Sequence, residues 1–248
     1  MSLLAWLGAI LIGLTLGLTG AGGSVVTLPV LVYLAGVTPV RAVALSLLVV
    51  GAAALVGAIH RWRAGEFHPR AALLFAVSGM AAAWAGAKLT PLVAPALLMA
   101  GFASLMIVVS LQMIVSREER IAIIPDCRPL RCVAAGAGVG LLTGFLGVGG
   151  GFLLVPALVK FARLPLRMAA GTSLAVIAFN SASGLLAHLS SGPVDWRLGI
   201  TFVTLAVAGV LAGNSLASKL PVKRLRQSFA AMVLPTGAAV LWRSLGEL

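Results

Sequence analysis

Two glycine clusters in this chain have the composition of an anion-binding backbone. Residues 20–24 and 147–151 each interrupt an apolar stretch, carry no charged residue and precede a short apolar run, so each predicts the start of a helix. A helix N-terminus presents unpaired N–H groups and a partial positive charge, which favour an anion. The predicted contacts are the residues that open the two helices: Gly22, Gly23, Ser24, Gly149, Gly150 and Gly151. The alternative is that these glycines only allow close helix packing, as small residues do in membranes.

Polar side chains inside the apolar runs could complete such a pocket. Ser46, Thr172, Ser173 and Asn180 could hydrogen-bond the oxygens of a substrate. They could equally bond across helices, for about 0.6 kcal/mol each, but a functional role is favoured for Asn180 because an amide in the middle of a span needs partners. Arg41 opens another apolar run, where it either attracts anions or snorkels to the membrane surface.

The acidic residues also favour an anion. All six lie outside the apolar runs: Glu66, Glu118, Glu119, Asp126, Asp195 and Glu247. A carrier of cations normally keeps a carboxylate within the membrane, because a charge there is costly and is kept for function. His60 and His188, near the ends of two apolar runs, fit interfacial anchors better than proton carriers. Cys127 and Cys132 lack metal-site spacing and are interpreted as free thiols, so we expect no metal and no cofactor.

The composition defines the class of protein in which these residues act. Of 248 residues, 60% are hydrophobic and only 10% are charged, whereas a soluble domain has about 25% charged residues. The chain is therefore not a soluble enzyme, and its net charge of +12 lies in short loops rather than in a patch that would bind nucleic acid. Since a membrane crossing takes about 20 apolar residues, we expect an all-α polytopic membrane protein.

Apolar runs predict ten helical elements. They cover residues 3–19, 24–36, 42–59, 71–88, 95–115, 132–147, 151–162, 168–188, 198–216 and 226–243. The second and seventh are short, and each begins at a glycine cluster and carries a proline, Pro29 or Pro156. The charge-free turns before them predict tips buried near the membrane midplane, with the choice between re-entrant hairpins and full spans left open.

The chain repeats itself at an offset of 127 residues. Glycines and prolines stay in register, as in the pairs Gly20 and Gly147, Gly22 and Gly149, Gly23 and Gly150, Pro29 and Pro156, and Gly57 and Gly184. Unrelated apolar runs would share Leu and Ala, but not these residues. We therefore predict a first membrane repeat at 1–115, a cytoplasmic linker at 116–131 and a second membrane repeat at 132–248.

The distribution of basic residues predicts that the repeats are inverted. With five elements in each half, fourteen of the eighteen Lys and Arg residues share one side. With each short element fused to its predecessor, the basic residues divide equally. Because Lys and Arg in short loops mark the cytoplasmic side, the five-element halves are favoured. An odd number of elements turns the second half upside down and places both termini away from the cytoplasm.

Several motifs resemble the TauE/SafE family, the sulfite exporter or toluene-sulfonate uptake permease group. They are Gly147-Val148-Gly149-Gly150-Gly151 followed by Pro156, Ala170-Gly171-Thr172-Ser173, Ser183-Gly184, His188 and Gly192-Pro193-Val194-Asp195-Trp196. The first copy departs from the pattern, since Leu45-Ser46 replaces Thr-Ser and Ser24 replaces the third glycine. The resemblance implies transport of small sulfur-containing anions, such as sulfite or organosulfonates, across the cytoplasmic (inner) membrane of a prokaryote.

Together these features predict a secondary transporter that works by alternating access, not an enzyme. The substrate would lie between the two glycine-rich helix starts near the midplane, within the lipid bilayer, and a proton or sodium ion is the candidate coupling ion. The alternatives are a passive anion channel, a non-transporting membrane subunit and, least favoured, a membrane-embedded enzyme.

Overall fold

A computed structural model describes residues 3–89, 128–146, 151–189 and 195–221, with scattered positions in 100–111 and 227–242. Within this part every regular element is a helix, in agreement with the predicted all-α class. The elements are α1 (Leu3–Thr19), α2 (Gly22–Pro29) with a following π-helical turn (Val30–Leu34), α3 (Pro39–Arg63), α4 (Pro69–Leu89), α5 (Pro129–Leu146), α6 (Gly151–Phe161), α7 (Leu166–Leu189) and α8 (Trp196–Lys219).

Four of these helices, α3, α4, α7 and α8, are long and apolar enough to cross a membrane. The helices α1 and α5 are shorter but also apolar. The predicted elements at 95–115 and 226–243 lie outside the described residues apart from isolated helical positions. The chain is a polytopic helical membrane protein.

The local signals that begin helices recur 127 residues apart. His68 precedes α4, and its Nδ1 accepts a hydrogen bond from the Ala71 N–H at 3.1 Å. Asp195 precedes α8, and its Oδ1 accepts one from the Leu198 N–H, also at 3.1 Å. Both side chains satisfy a backbone donor that the first turn of a helix leaves unpaired. The two copies thus keep the same cap with different chemistry.

The helices of the two copies pack in exchanged pairs. Helix α1 packs on α8, and its counterpart α5 packs on α4. A Cβ added to Gly13 would overlap the carbonyl oxygen of Ala206, and one added to Gly140 would overlap that of Gly79. These two contacts are related by the 127-residue offset. Glycine is needed at both places because the backbones touch.

The directions of the helices follow from these contacts. Gly13 meets Ala206 and Gly17 meets Val210, so α1 and α8 run parallel. In contrast, α3 and α7 run antiparallel. A Cβ on Gly57 would lie 3.1 Å from Leu174 Cδ1, and one on Gly184 would lie 3.2 Å from Leu47 Cδ1. The helices α3 and α7 therefore cross the molecule in opposite directions.

The interpretation of both cysteines as free thiols is wrong for Cys132, which is disulfide-bonded. Cys132 is fully buried in the first turn of α5. A disulfide needs the two Cα atoms within about 4.4–6.8 Å and Cβ atoms that point toward each other, and a short sequence separation allows this without a CxxC motif.

Candidate functional site

The first glycine cluster forms a buried tip between α1 and α2. Gly20 has a φ of +72° and would meet the backbone of Ala170 if it carried a Cβ. Gly23 packs against α1, where a Cβ would lie 2.6 Å from Leu16 Cβ. Gly17, one turn before the tip, is level with Arg61 in the last turn of α3. The tip is therefore buried, but it lies toward the end of the helices that carries Arg61.

Three of the predicted substrate contacts bond to backbone in the structure. Ser46 Oγ donates to the Val43 carbonyl oxygen at 2.8 Å. Thr172 Oγ1 accepts a hydrogen bond from the His68 N–H at 3.0 Å. Ser173 Oγ lies 2.7 Å from the Gly20 carbonyl oxygen, so Ser173 joins α7 to the first tip. The structure thus brings Ser173 and the first glycine cluster together, and gives each of these hydroxyls a backbone partner.

The remaining predicted residues are placed less completely. Gly22 and Ser24 lie in the first turn of α2, and the side chain of Ser24 is outside the described part of the structure. Gly149 and Gly150 lie outside the described residues, and Gly151 is the buried first residue of α6. Arg41 is exposed near the start of α3.

Asn180 differs from the other predicted contacts because its amide is buried without a partner. Neither Oδ1 nor Nδ2 has a hydrogen bond, and the residue is fully buried. The amide lies against Gly79 of α4, where a Cβ would come within 2.6 Å of Oδ1. A buried polar group left unpaired costs about 1–3 kcal/mol. An unpaired amide near the middle of a membrane helix is therefore a candidate ligand-binding group.

The unpartnered polar groups cluster on α7. Four described residues have buried side-chain N or O atoms without a partner, and three of them, Asn180, Ser181 and His188, are on α7; the fourth is Ser110. At 100° per residue the three α7 positions fall within about one quadrant of the helix. Gly51 of α3 lies against Ser181, and Gly144 of α5 hydrogen-bonds to His188. This sector of α7 faces the interior of the bundle.

A second polar cluster surrounds Arg61, which is buried. Its Nε donates to Asn214 Oδ1 at 3.0 Å, its Nη2 to the Gly17 carbonyl oxygen at 2.7 Å, and its Nη1 to Glu66. Glu66 also lies 3.6 Å from Arg167 at the start of α7. This cluster, which we call the Arg61 network, joins α1, α3 and α8 to the loop before α4.

The Arg61 network could not be predicted from apolar runs, because Arg61 and Glu66 lie where an apolar run gives way to a polar loop. The repeat itself carried a signal, since Arg61 is the counterpart of His188 and Gly17 that of Gly144. The expectation of an interfacial anchor is wrong for His188, which is buried, whereas His60 is exposed.

These helices define a polytopic membrane protein, and its Arg61 network and unpartnered α7 side chains are buried in the interior. Residues 5–240 match the sulfite exporter TauE/SafE family. The chain belongs to that family, and its curated relatives are named probable membrane transporter proteins.

Two relatives illustrate the match. A probable membrane transporter protein of Xylella fastidiosa (strain 9a5c) is 33% identical over 248 residues, covering 96% of this chain and 94% of the relative. The probable membrane transporter protein YunE of Bacillus subtilis is 24% identical over 253 residues, covering 92% and 93%. No solved structure matches the chain.

Proposed function

We propose that this protein is a secondary transporter of small sulfur-containing anions of the sulfite or organosulfonate class. The observation that carries the proposal is the unpartnered amide of Asn180, beside the unpartnered hydroxyl of Ser181, in the middle of α7. An amide and a hydroxyl can donate hydrogen bonds to an oxyanion without a fixed charge. The family membership supports the substrate class.

The positions of the first tip and of Gly144 favour a path along α7 rather than a site between two meeting helix starts. Ser173 contacts the first tip at Gly20, and His188 contacts Gly144, close to the second glycine cluster. These two residues are about 22 Å apart along the helix. Asn180 and Ser181 lie between them. We propose that the anion binds at this middle position, with the first tip bordering one end of the path and Gly144 of α5 the other.

Two inverted halves would allow this path to open alternately to the two sides of the membrane. The antiparallel course of α3 and α7 and the exchanged pairing of α1 with α8 and of α5 with α4 support two repeats of opposite orientation. Transporters built from inverted repeats alternate access by moving one repeat against the other around a fixed site. We place the protein in the inner membrane of a prokaryote, with the Arg61 end toward the cytoplasm and both termini outside.

Uptake into liposomes that carry the purified protein tests the function. Labelled sulfite should enter saturably, and unlabelled sulfite or a sulfonate inside the vesicles should accelerate that entry by exchange. Sulfate and chloride serve as competitors, and protein-free vesicles as the blank. Flux that does not saturate or exchange would instead indicate a passive channel. Absence of flux for every anion would contradict transport.

A matched pair of glycine substitutions tests the site. Gly79→Ala places a Cβ within 2.6 Å of Asn180 Oδ1, so it should displace the amide and reduce uptake at least about tenfold. Gly138→Ala on α5 adds a Cβ that meets nothing within 4 Å, so its uptake should equal that of the wild type. Equal uptake by the two variants would remove Asn180 from the site.

A further inference from the structure

The buried titratable side chains in the described part of the chain are few. Apart from the disulfide-bonded Cys132, they are Arg61 and His188. Arg61 is bonded to Glu66, Asn214 and Gly17. His188 is 7% exposed, one end of its ring hydrogen-bonds to the backbone of Gly144, and its Nε2 has no partner. His188 is thus the buried titratable group, among the described residues, that retains an unused bonding position.

The charged groups around His188 do not occupy that position. Helices α3, α4, α5 and α6 pack against α7. At the His188 end of these helices the charged side chains in the described residues are Arg41 and Lys88, and both are exposed. Lys88 Nζ lies 3.7 Å from the centre of the Trp84 ring. The other titratable groups of these four helices stand at the opposite end: His60, Arg61, Arg63, Arg70, Arg131 and Lys160. Asp195, which caps α8 at the same end as His188, is exposed and accepts from Leu198.

We infer that His188 Nε2 holds a proton that crosses the membrane together with the anion. The inference rests on the proposed anion transport. An anion at Asn180 and Ser181 brings a negative charge into an interior where, among the described residues, the other buried cation is already paired with Glu66. Burying an uncompensated charge is costly. A proton on His188, about two turns from Asn180 on the same sector of α7, compensates that charge.

The proton transfer needs no further reactant. A proton from water on one side binds the ring nitrogen and gives an imidazolium, in which both nitrogens are donors. After the change of access the proton leaves to water on the other side with the anion. One proton moved with one monovalent anion is electroneutral, so a gradient of one pH unit drives at most about tenfold accumulation.

The test separates coupling from binding in proteoliposomes. A labelled alkylsulfonate is the cleaner probe, because it stays ionised at every pH used, and sulfite is run beside it. His188→Asn retains an amide that can bond to Gly144 but cannot carry a proton, and His188→Gln is a second non-titrating variant. His60→Gln is the matched control, since His60 is exposed on the equivalent helix of the other repeat.

We expect wild type and His60→Gln to accumulate the anion up to about tenfold under a one-unit pH gradient, with alkalinisation of the outside medium in step. In both His188 variants accumulation should fall to a ratio of about one, while exchange of external for internal anion persists. Such exchange also shows that the variants are folded. Accumulation by the His188 variants equal to wild type would overturn the inference but leave transport standing. Absence of exchange in the wild type itself would overturn both.

Discussion

Arg61 and His188 occupy the same position in the two repeats but have opposite surroundings. Each lies near the C-terminal end of its helix, and each bonds to the backbone of the equivalent glycine, Gly17 or Gly144. Around Arg61 every donor nitrogen has an acceptor. At His188 one ring nitrogen has none.

The difference arises from the neighbours that each repeat supplies. Asn214, which accepts from Arg61, corresponds to Ala87 in the other copy, and Glu66 corresponds to Pro193. The backbone contacts with Gly17 and Gly144 recur at the offset of 127 residues, whereas the side-chain partners do not. Arg61 is therefore fully paired within an ion-pair network, whereas the equivalent residue, His188, has a ring nitrogen without a partner. Arg61 and His188 therefore share an equivalent backbone contact but differ in the hydrogen-bond partners of their side chains.

Removing Arg61 should have the largest effect on stability. In Arg61→Ala the Glu66 carboxylate, the Asn214 amide and the Gly17 carbonyl all lose a partner at once. Breaking a buried pair by removing one partner costs about 3–5 kcal/mol. Unfolding of the purified protein in detergent, followed by circular dichroism against denaturant, measures the loss. Arg63→Ala is the control, since Arg63 is exposed two residues further along α3. Equal stability of the two variants would contradict a structural role for the network.

Neutralising Glu66 should have a smaller effect. Glu66→Gln keeps an oxygen that can accept from Arg61 but leaves the guanidinium charge uncompensated, and the Glu66 side chain is 21% exposed to water. We expect a loss of about 1.5–3 kcal/mol in the same unfolding assay, the range for hydrogen bonds to charged groups. Arg167→Ala removes the outer, more exposed pair with Glu66 together with the hydrogen bonds that Arg167 donates to the Ser218 and Leu220 carbonyl oxygens, and should cost about 1 kcal/mol. If Arg167→Ala costs more than Glu66→Gln, the network is centred on Arg167 instead.

The helices could be predicted from the sequence because they depend on local signals. Prolines and glycines in register predict where elements begin and turn, and apolar runs predict α3, α4, α7 and α8. The bounds shifted by a few residues, since α3 begins at Pro39 and ends at Arg63, whereas the apolar run covers 42–59. The helix continues into the polar Arg61–Arg63 segment because Arg61 finds its partners inside the protein.

The site was harder to predict because it depends on which helices pack together. Thr172 and Ser173 match the family motif, yet both hydroxyls bond to backbone. The Thr172 hydroxyl accepts from the His68 N–H, and the Ser173 hydroxyl donates to the Gly20 carbonyl oxygen. The single-sequence pattern does not distinguish a hydroxyl that bonds to backbone from one that lacks a partner. Asn180 could be selected because a mid-span amide needs partners, but Ser181 and His188 required the packing of α7 on α3 and α5.

The smallest effect on stability, with a large effect on transport, is expected at Asn180. Its counterpart in the first repeat is Ala53, which is fully buried in the core. Asn180→Ala therefore places the same residue, alanine, at both equivalent positions. Because the amide has no partner in the structure, its removal should leave the free energy of unfolding within about 0.5 kcal/mol of the wild type or raise it slightly. Sulfite exchange should nevertheless fall at least about tenfold, since the lost group serves the anion and not the fold.

Thr143→Ala on α5 is the control, because that buried hydroxyl is already bonded to the Val139 carbonyl. A loss of stability in Asn180→Ala with unchanged exchange would reverse the assignment, making Asn180 a packing residue and the two repeats alike in function at this position.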